Sequence, residues 1–95
     1  MKNEISVIIL TFNEEKHIAR CINSLLPFAG EIFIIDSFST DNTIEIAESL
    51  GAKVFKNPWR NYANQFNYGL DNCPIKTPFV MRMDADEFVT PELAT

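Results

Sequence analysis

The stretch Phe79-Val-Met-Arg-Met-Asp-Ala-Asp-Glu87 decides which fold the chain can adopt. Apolar residues at positions 79, 80, 81 and 83 predict a mostly buried β-strand, and this strand ends at two carboxylates, Asp84 and Asp86. Such a pair suits a hard cation such as Mg²⁺, which proteins usually bind through one or two carboxylates together with substrate phosphates. Open α/β sheets bind ligands outside the carboxyl ends of their strands. The acidic pair therefore marks a candidate site, provided that the rest of the chain builds such a sheet.

Three further strands are predicted ahead of this one. Near-continuous β-branched runs at 5–10 and 31–36 are typical of strands covered on both faces, and a shorter run at 52–55 predicts a third. Helical patterns separate them, which gives the order β-α-β-α-β-α-β. Short connections between such elements require parallel pairing and right-handed crossovers. The predicted fold class is therefore α/β, with a mainly parallel sheet of about four strands flanked by helices.

Apolar side chains recur at helical spacing in three segments, 15–26, 42–50 and 62–70. Asn13 and Asp41 are predicted to cap the first two helices, and Gly51 stands where a left-handed C-cap belongs. Thr90 and Pro91 predict the start of a fourth helix.

The composition describes one small acidic domain. Eight basic and thirteen acidic residues among 95 give a net charge of −5, which argues against nucleic acid as a partner. Cys21 and Cys73 lie far apart in sequence, so neither a zinc site nor a disulfide framework is implied. We interpret both as reduced thiols of a cytoplasmic protein. The start of the chain does not have the pattern of a signal peptide.

Polar residues follow three of the predicted strands, at 11–14, at Asp36, and at Asp84 and Asp86. In a parallel sheet these positions share one edge. Short acidic residues also serve as turn and capping residues, which we favour for Asp41, while Asp36 is open to either interpretation. The glycines do not form a dinucleotide-binding or Walker loop, so a phosphate ligand would need a metal, which Asp84 and Asp86 could hold.

Three motifs, taken in order, give the chain a family resemblance. They are ISVIILTFNEE (5–15), DSFSTD (36–41) and MDADE (83–87). Together they resemble the successive signatures of family 2 glycosyltransferases with the GT-A fold, a Rossmann-like architecture. The runs EIAESLGAKVF, NPWRNYANQFNYGL and DADEFVTPEL are similar to sugar transferases of lipopolysaccharide-core and related surface-polysaccharide assembly.

The resemblance implies roles for residues of this chain. Thr11, Phe12, Asn13 and Glu14 would line the base and ribose of a nucleotide-sugar donor, typically a UDP-sugar, and Asp36 would bind the base. Asp84 and Asp86 would match the DXD motif, with Asp84 touching the ribose and both holding Mg²⁺ or Mn²⁺ on the diphosphate. Three polar residues expected on the third helix would face the donor: Arg60, Gln65 and Asn67.

Two residues depart from the family pattern. Phe38 stands where the family often has Gly or another small residue, so the loop after Asp36 would be shaped differently or would help to wall the base pocket. Arg82 interrupts the apolar strand and would either reach a phosphate or extend at a sheet edge.

The resemblance also implies what residues 1–95 lack. Inverting members use a carboxylate base on a later segment, so the base is expected beyond Thr95, and this segment alone is expected to be inactive. We expect a single nucleotide-sugar-binding domain of a longer, cytoplasmic transferase, acting at the inner face of the membrane on a glycan or lipid-linked acceptor. Self-association through the flank of the fourth strand is also expected. The alternatives are a non-catalytic nucleotide- or metal-binding module and, more weakly, a receiver-type regulatory domain.

Overall fold

The computed structural model describes residues 4–87, which form a single sheet with helices on both faces. The elements follow in the predicted order: β1 (Ile5–Thr11), α1 (Ile18–Leu25), β2 (Glu31–Asp36), α2 (Thr43–Ser49), β3 (Lys53–Lys56), α3 (Tyr62–Asn72) and β4 (Phe79–Asp84). All three strand pairings are parallel. The predicted α/β class and four-stranded parallel sheet are confirmed.

The strand order is β3-β2-β1-β4, so the two β-branched runs lie at the centre of the sheet. The side chains from Val7 to Ile9 and from Phe33 to Ile35 are fully buried. Covering both faces of a parallel strand requires such a continuous apolar run. The register places Thr11 beside Asp36 and Leu10 beside Asp84, which aligns the polar strand ends along one edge.

Two helices cover one face of the sheet and one helix covers the other. The apolar sides of α1 and α2 pack with Val7, Ile9 and Ile34 in one core. On the opposite face, α3 packs against β1 and β2, over Ile8 and Phe33.

A glycine allows α3 to approach the sheet closely. A Cβ atom added at Gly69 would lie 3.1 Å from two side-chain carbons of Ile8 and 3.2 Å from Cγ1 of Ile35. Contacts this short are rare between well-packed carbons. Because residue 69 has no side chain beyond a hydrogen, α3 can lie this close to the sheet.

The predicted start of the first helix is wrong. α1 begins at Ile18, after a turn at 15–17, and its N-cap residue His17 makes no side-chain capping bond. Asn13 does not cap it. Its side chain instead accepts a hydrogen bond from the Thr40 N–H at 2.8 Å, and its backbone is left-handed, with φ of 51°. The position of Asn13 before the helix predicted a cap, but its side-chain amide binds the loop that follows β2.

The second helix is close to its prediction. It runs over 43–49, and its cap position is Asn42 rather than Asp41. The Asp41 carboxylate nevertheless accepts a hydrogen bond from the N–H of Thr43, the first helical residue, at 3.0 Å. Gly51 has a φ of 93°, and its N–H donates to the Glu48 carbonyl, so the predicted left-handed C-cap is confirmed.

The expectation that the fourth strand is mostly buried is wrong. Phe79 is 60% exposed and Val80 36% exposed, Arg82 is also exposed, and only Met83 is nearly enclosed. The reason is topological: β4 is an edge strand, and α3 covers β1 and β2 on the face shared by Val80 and Arg82. An apolar run predicts a strand but does not reveal whether neighbours cover it.

The helix start predicted at Thr90 and Pro91 lies outside the described residues. Within residues 4–87, none of the helices has the length and apolar character needed to cross a bilayer.

Candidate functional site

A cleft of about 530 Å³ opens at the carboxyl edge of the sheet. It is lined by residues from the ends of β1, β2 and β4 and from the segment entering α3: Leu10, Thr11, Phe12, Glu14, Ser37, Trp59, Tyr62, Asp84, Ala85 and Asp86. This volume lies in the range of small-molecule and cofactor sites. Of the predicted site residues, Thr11, Phe12, Glu14, Asp84 and Asp86 are brought together here.

The acidic end of the cleft is a closed turn after β4. The N–H of Asp84 donates to Oε1 of Glu87 at 2.8 Å, and the Glu87 N–H donates back to the Asp84 carbonyl at 3.0 Å. Glu87 therefore closes this turn. From α1, Nη2 of Arg20 donates to the Asp86 carbonyl at 3.4 Å, and the Cys21 thiol lies 3.9 Å from the Asp84 carbonyl. Asp84 and Asp86 are both among the residues that line the cleft.

Burial strongly affects the thiol beneath this turn. It raises the pKa of Cys21 from 9.0 to about 12, with smaller contributions from the nearby carboxylates of Glu87 and Asp86. The thiol is therefore neutral at physiological pH and behaves as an apolar group.

The donor set fits a magnesium-type ion that shares its ligands with a substrate. Across residues 4–87, His, Cys, Asp and Glu side chains do not gather in a group of three or more that could hold a metal. Two carboxylates in an open cleft leave most coordination positions to water and phosphate oxygens, as Mg²⁺ commonly requires. A structural zinc centre would instead need four protein ligands.

The two loops that follow β1 and β2 bind each other beside the cleft. Oδ1 of Asn13 accepts hydrogen bonds from the N–H groups of Thr40 and Asp41, at 2.8 and 3.3 Å, while the Asn13 N–H donates to Oγ of Ser39. The N–H of Glu14 donates to Oγ1 of Thr43 at 2.7 Å. These bonds fix the segment 11–14 relative to the loop that follows β2.

Asp41 completes this connection between the loops. Its carboxylate accepts hydrogen bonds from the hydroxyl and N–H of Thr43 and from the N–H of Glu15. Desolvation is the largest single influence on its pKa and raises it, but these hydrogen bonds together outweigh desolvation and hold the Asp41 pKa below the ordinary 3.8.

Asp36 lies beneath the cleft and is fully buried. Its Oδ1 accepts hydrogen bonds from the hydroxyls of Thr11 and Ser39, both at 2.6 Å, and its Oδ2 accepts from the Ser39 N–H at 2.7 Å. These bonds show that Asp36 joins two strand ends as a turn residue, and its binding of the base stays a prediction. It is not among the residues that line the cleft.

Aromatic side chains also line the cleft. Trp59 and Tyr62 meet edge to face, with ring centroids 4.8 Å apart, and both rings and that of Phe12 are about half exposed. The guanidinium of Arg82 lies 5.5 Å from the Tyr62 ring centroid, within cation–π range. Sequence reasoning missed Trp59 and Tyr62 as cleft residues, although both lie in the aromatic-rich run 57–70 that contributed to the family resemblance.

The three polar residues assigned to the third helix occupy other positions than expected. Arg60 precedes α3, and together with Asn67 it lines a separate depression on the outer side of that helix. Gln65 lies on α3 but is fully buried, and its Nε2 donates to Oγ of Ser37 at 2.8 Å. The expectation that these three face the cleft is corrected: Gln65 reaches it only through Ser37, which sequence reasoning also missed.

Phe38 stands in the loop after β2, where the family often has glycine or another small residue. Its backbone is left-handed, with φ of 59°, and its ring is 53% exposed. A glycine adopts this conformation without strain, whereas a side chain with a Cβ does not. The loop therefore keeps the backbone that glycine favours, and Phe38 is not among the residues that line the cleft.

Comparison with known sequences identifies the family. A profile of glycosyl transferase family 2 matches residues 6–95. An uncharacterised glycosyltransferase of Rickettsia bellii is 43% identical over 93 residues, which is 98% of this chain and 31% of the relative. The lipopolysaccharide core biosynthesis glycosyltransferase LpsC of Rhizobium meliloti is 37% identical over 91 residues, covering 90% of this chain and 33% of that protein. The chain thus spans about a third of the length of these relatives.

Solved structures agree with this assignment. Glucosyl-3-phosphoglycerate synthase from Mycobacterium tuberculosis, crystallised with Mn²⁺, UDP and glucosyl-3-phosphoglycerate, superposes with a TM-score of 0.73 at 26% identity, over 90% of this chain and 36% of the synthase. The four-stranded parallel sheet with its flanking helices is thus the Rossmann-like part of a GT-A fold. By sequence match and by fold, the chain belongs to glycosyltransferase family 2.

Proposed function

We propose that residues 1–95 form the domain that binds a uridine-diphospho-sugar in a transferase of this family. The observation that carries the proposal is the cleft on the carboxyl edge of a parallel sheet, which is lined by two acidic residues, Asp84 and Asp86, and by aromatic side chains. The mycobacterial synthase, crystallised with UDP and either Mn²⁺ or Mg²⁺, supports uridine and a divalent ion.

The residues divide into two groups along the cleft. Asp84 and Asp86 would hold Mg²⁺ or Mn²⁺ on the diphosphate, and Asp84 would also touch the ribose. A divalent ion there neutralises the charge that builds on a departing nucleoside diphosphate. The segment Thr11–Glu14 would line the base and ribose, with the exposed Phe12 ring offering an apolar face to the base.

The buried and distant residues have indirect roles or none in this proposal. Asp36 would act on the base through the loop that it holds with Thr11 and Ser39, since its carboxylate is enclosed. Arg60 and Asn67 are left out of the donor site because they line another depression.

The proposal also covers the acceptor, the stereochemistry and the location of the reaction. The similarity to LpsC supports a glycan or lipid-linked acceptor of cell-surface polysaccharide synthesis. The transfer would invert the anomeric configuration with a base beyond Thr95, so residues 1–95 alone would bind the donor without transferring sugar. We place this reaction in the cytoplasm, at the inner face of the membrane.

Calorimetric titration with UDP, with and without Mn²⁺, tests the donor assignment. Wild-type protein is expected to bind UDP in a metal-dependent manner, and Asp84→Asn/Asp86→Asn is expected to lose the metal dependence. The matched control is Glu45→Gln/Glu48→Gln, which removes the same charge from exposed positions on α2. Metal-independent UDP binding, or equal loss in the control, would refute the assignment of Asp84 and Asp86.

A further inference from the structure

Gln65 is the only uncharged polar side chain of α3 that is fully buried within the described residues, and its amide is held in one orientation. Its Nε2 lies 3.2 Å from the Asn57 carbonyl oxygen, which can only accept a hydrogen bond. The nitrogen must therefore face this carbonyl. Its oxygen accepts from Nδ2 of Asn57 at 2.8 Å, and Nδ2 is itself oriented by the Pro58 carbonyl at 3.3 Å.

This orientation determines what Ser37 can offer to the cleft. The second N–H of the Gln65 amide donates to Oγ of Ser37 at 2.8 Å, so the serine oxygen is an acceptor in this bond. Among residues 4–87, the structure gives the Ser37 hydroxyl proton no acceptor. Because Ser37 also lines the cleft, its proton is available to a ligand there.

The place of Ser37 in the sheet indicates which part of the ligand it meets. Ser37 follows β2, and Asp84 ends β4, with β1 between these two strands. Asp84 is level with Ile35, two residues before Ser37. Neighbouring strands lie about 4.8 Å apart and a strand rises about 3.3 Å per residue, so Ser37 and Asp84 stand about 12 Å apart. A nucleoside diphosphate with its phosphates at Asp84 would extend its base toward Ser37.

We propose that Gln65 is a positioning residue. By orienting Ser37, it makes the Ser37 hydroxyl donate a hydrogen bond to a carbonyl oxygen of the pyrimidine base of the nucleotide-sugar. This inference rests on the proposed function and adds to it a residue that selects the base by its acceptor atoms. Gln65 contributes by orienting Ser37 and does not itself touch the ligand.

Replacing Gln65 by its isostere reverses the polarity of this bond. In Gln65→Glu, a carboxyl group replaces the amide, and its proton, when present, is donated to the Asn57 carbonyl, which can only accept. Ser37 therefore donates its own proton to position 65 and presents only lone pairs to the cleft. The loss of one hydrogen bond to the ligand corresponds to about a tenfold weaker affinity. Ser37→Ala removes the same bond directly, while Ser37→Thr retains a hydroxyl and is expected to retain the affinity.

The test is a double-mutant cycle measured by calorimetry with UDP and Mn²⁺. Gln65→Glu and Ser37→Ala should each weaken UDP binding about tenfold, and the double mutant should be no weaker than Ser37→Ala alone. Binding of Mn²⁺-pyrophosphate, which has no base, should be unchanged in all three. Asn64→Asp is the control, because it adds one negative charge at an exposed position of the same helix.

Each other outcome overturns part of the reasoning. If Gln65→Glu weakens UDP equally in the presence and absence of Ser37→Ala, or weakens Mn²⁺-pyrophosphate as well, Gln65 has a general structural role. If Ser37→Ala binds UDP like wild type, Ser37 is not a donor to the base, whether or not Gln65→Glu folds. If wild-type protein binds Mn²⁺-pyrophosphate but gains nothing from uridine, this inference fails while the metal site stands. Failure to bind UDP at all would overturn the proposed function itself.

Discussion

Replacement of Asn13 tests whether the cleft is held together by bonds between its own loops. Asn13 has two properties that a substitution can separate: a left-handed backbone with φ of 51°, and an amide oxygen that accepts hydrogen bonds from two N–H groups of the loop after β2. Asn13→Gly retains the backbone conformation and removes the hydrogen bonds. Asn13→Ala removes the hydrogen bonds and also places a Cβ in a conformation that it disfavours.

The expected magnitudes follow from these two losses. The bond to Thr40, at 2.8 Å, is the stronger of the two, and both are exposed, so together they contribute about 1 kcal/mol. Left-handed backbone costs ordinary residues about 1–2 kcal/mol and Asn less. We therefore expect the free energy of unfolding to fall by about 1 kcal/mol in Asn13→Gly and by about 2 kcal/mol in Asn13→Ala. In a domain of this size 1 kcal/mol corresponds to roughly 4–8 °C in melting temperature.

Urea unfolding followed by circular dichroism gives the free energy of unfolding of both variants, provided that the dependence of this free energy on urea concentration is the same as in wild type. The ranking is the decisive result. If Asn13→Ala is as stable as Asn13→Gly, the left-handed backbone carries no cost and the reasoning from φ is wrong. If both variants match wild type within about 0.3 kcal/mol, the bridge between the loops contributes nothing to stability, and the cleft must be held by other contacts.

Three further predictions use the same unfolding measurements. Phe38→Gly should raise the free energy of unfolding by about 1 kcal/mol, because it relieves a φ of 59° at a half-exposed ring, and a loss of stability would contradict this. Gly69→Leu should lower it by at least about 2 kcal/mol, because a Cβ there already lies 3.1 Å from Ile8 carbons, and wild-type stability would show that α3 moves away freely. Burial, with a smaller contribution from Glu31, raises the pKa of Cys73 from 9.0 to about 11. The stabilising contribution of the protonated thiol is therefore full below pH 9 and declines as pH rises toward 11. Cys73→Ala should reduce this decline in the free energy of unfolding, and an unchanged pH profile would contradict the assignment.

The sequence predicted the central part of the fold because local pattern and burial agree there. β2 was predicted at its observed bounds, since every apolar residue of the run lies in a strand covered on both faces. β4 was predicted as a strand but with the wrong burial. Its exposure depends on being at the edge and on where α3 packs, and both are consequences of pairings between distant segments.

The site residues that come directly after a strand could be predicted from the sequence. Those whose place depends on contacts with distant segments could not. Asp84 and Asp86 line the cleft because the end of β4 carries them there. Gln65 was expected to face the donor because the family resemblance implied it for polar residues of the third helix. It is instead enclosed by Asn57 and Ser37, at separations of 8 and 28 residues, which no local pattern encodes.

The strained positions of this chain lie where the cleft is built. The two non-glycine residues with positive φ in the described segment, Asn13 and Phe38, each lie two residues after the end of a strand, β1 and β2 respectively. Strained backbone of this kind persists only where surrounding structure enforces it. Here Asp36 supplies that enforcement, since one buried carboxylate binds Thr11 from the first strand end and Ser39 from the second loop. Because these bonds run between protein groups, the cleft keeps its shape before a ligand arrives, and less of the binding free energy is lost in ordering the loops.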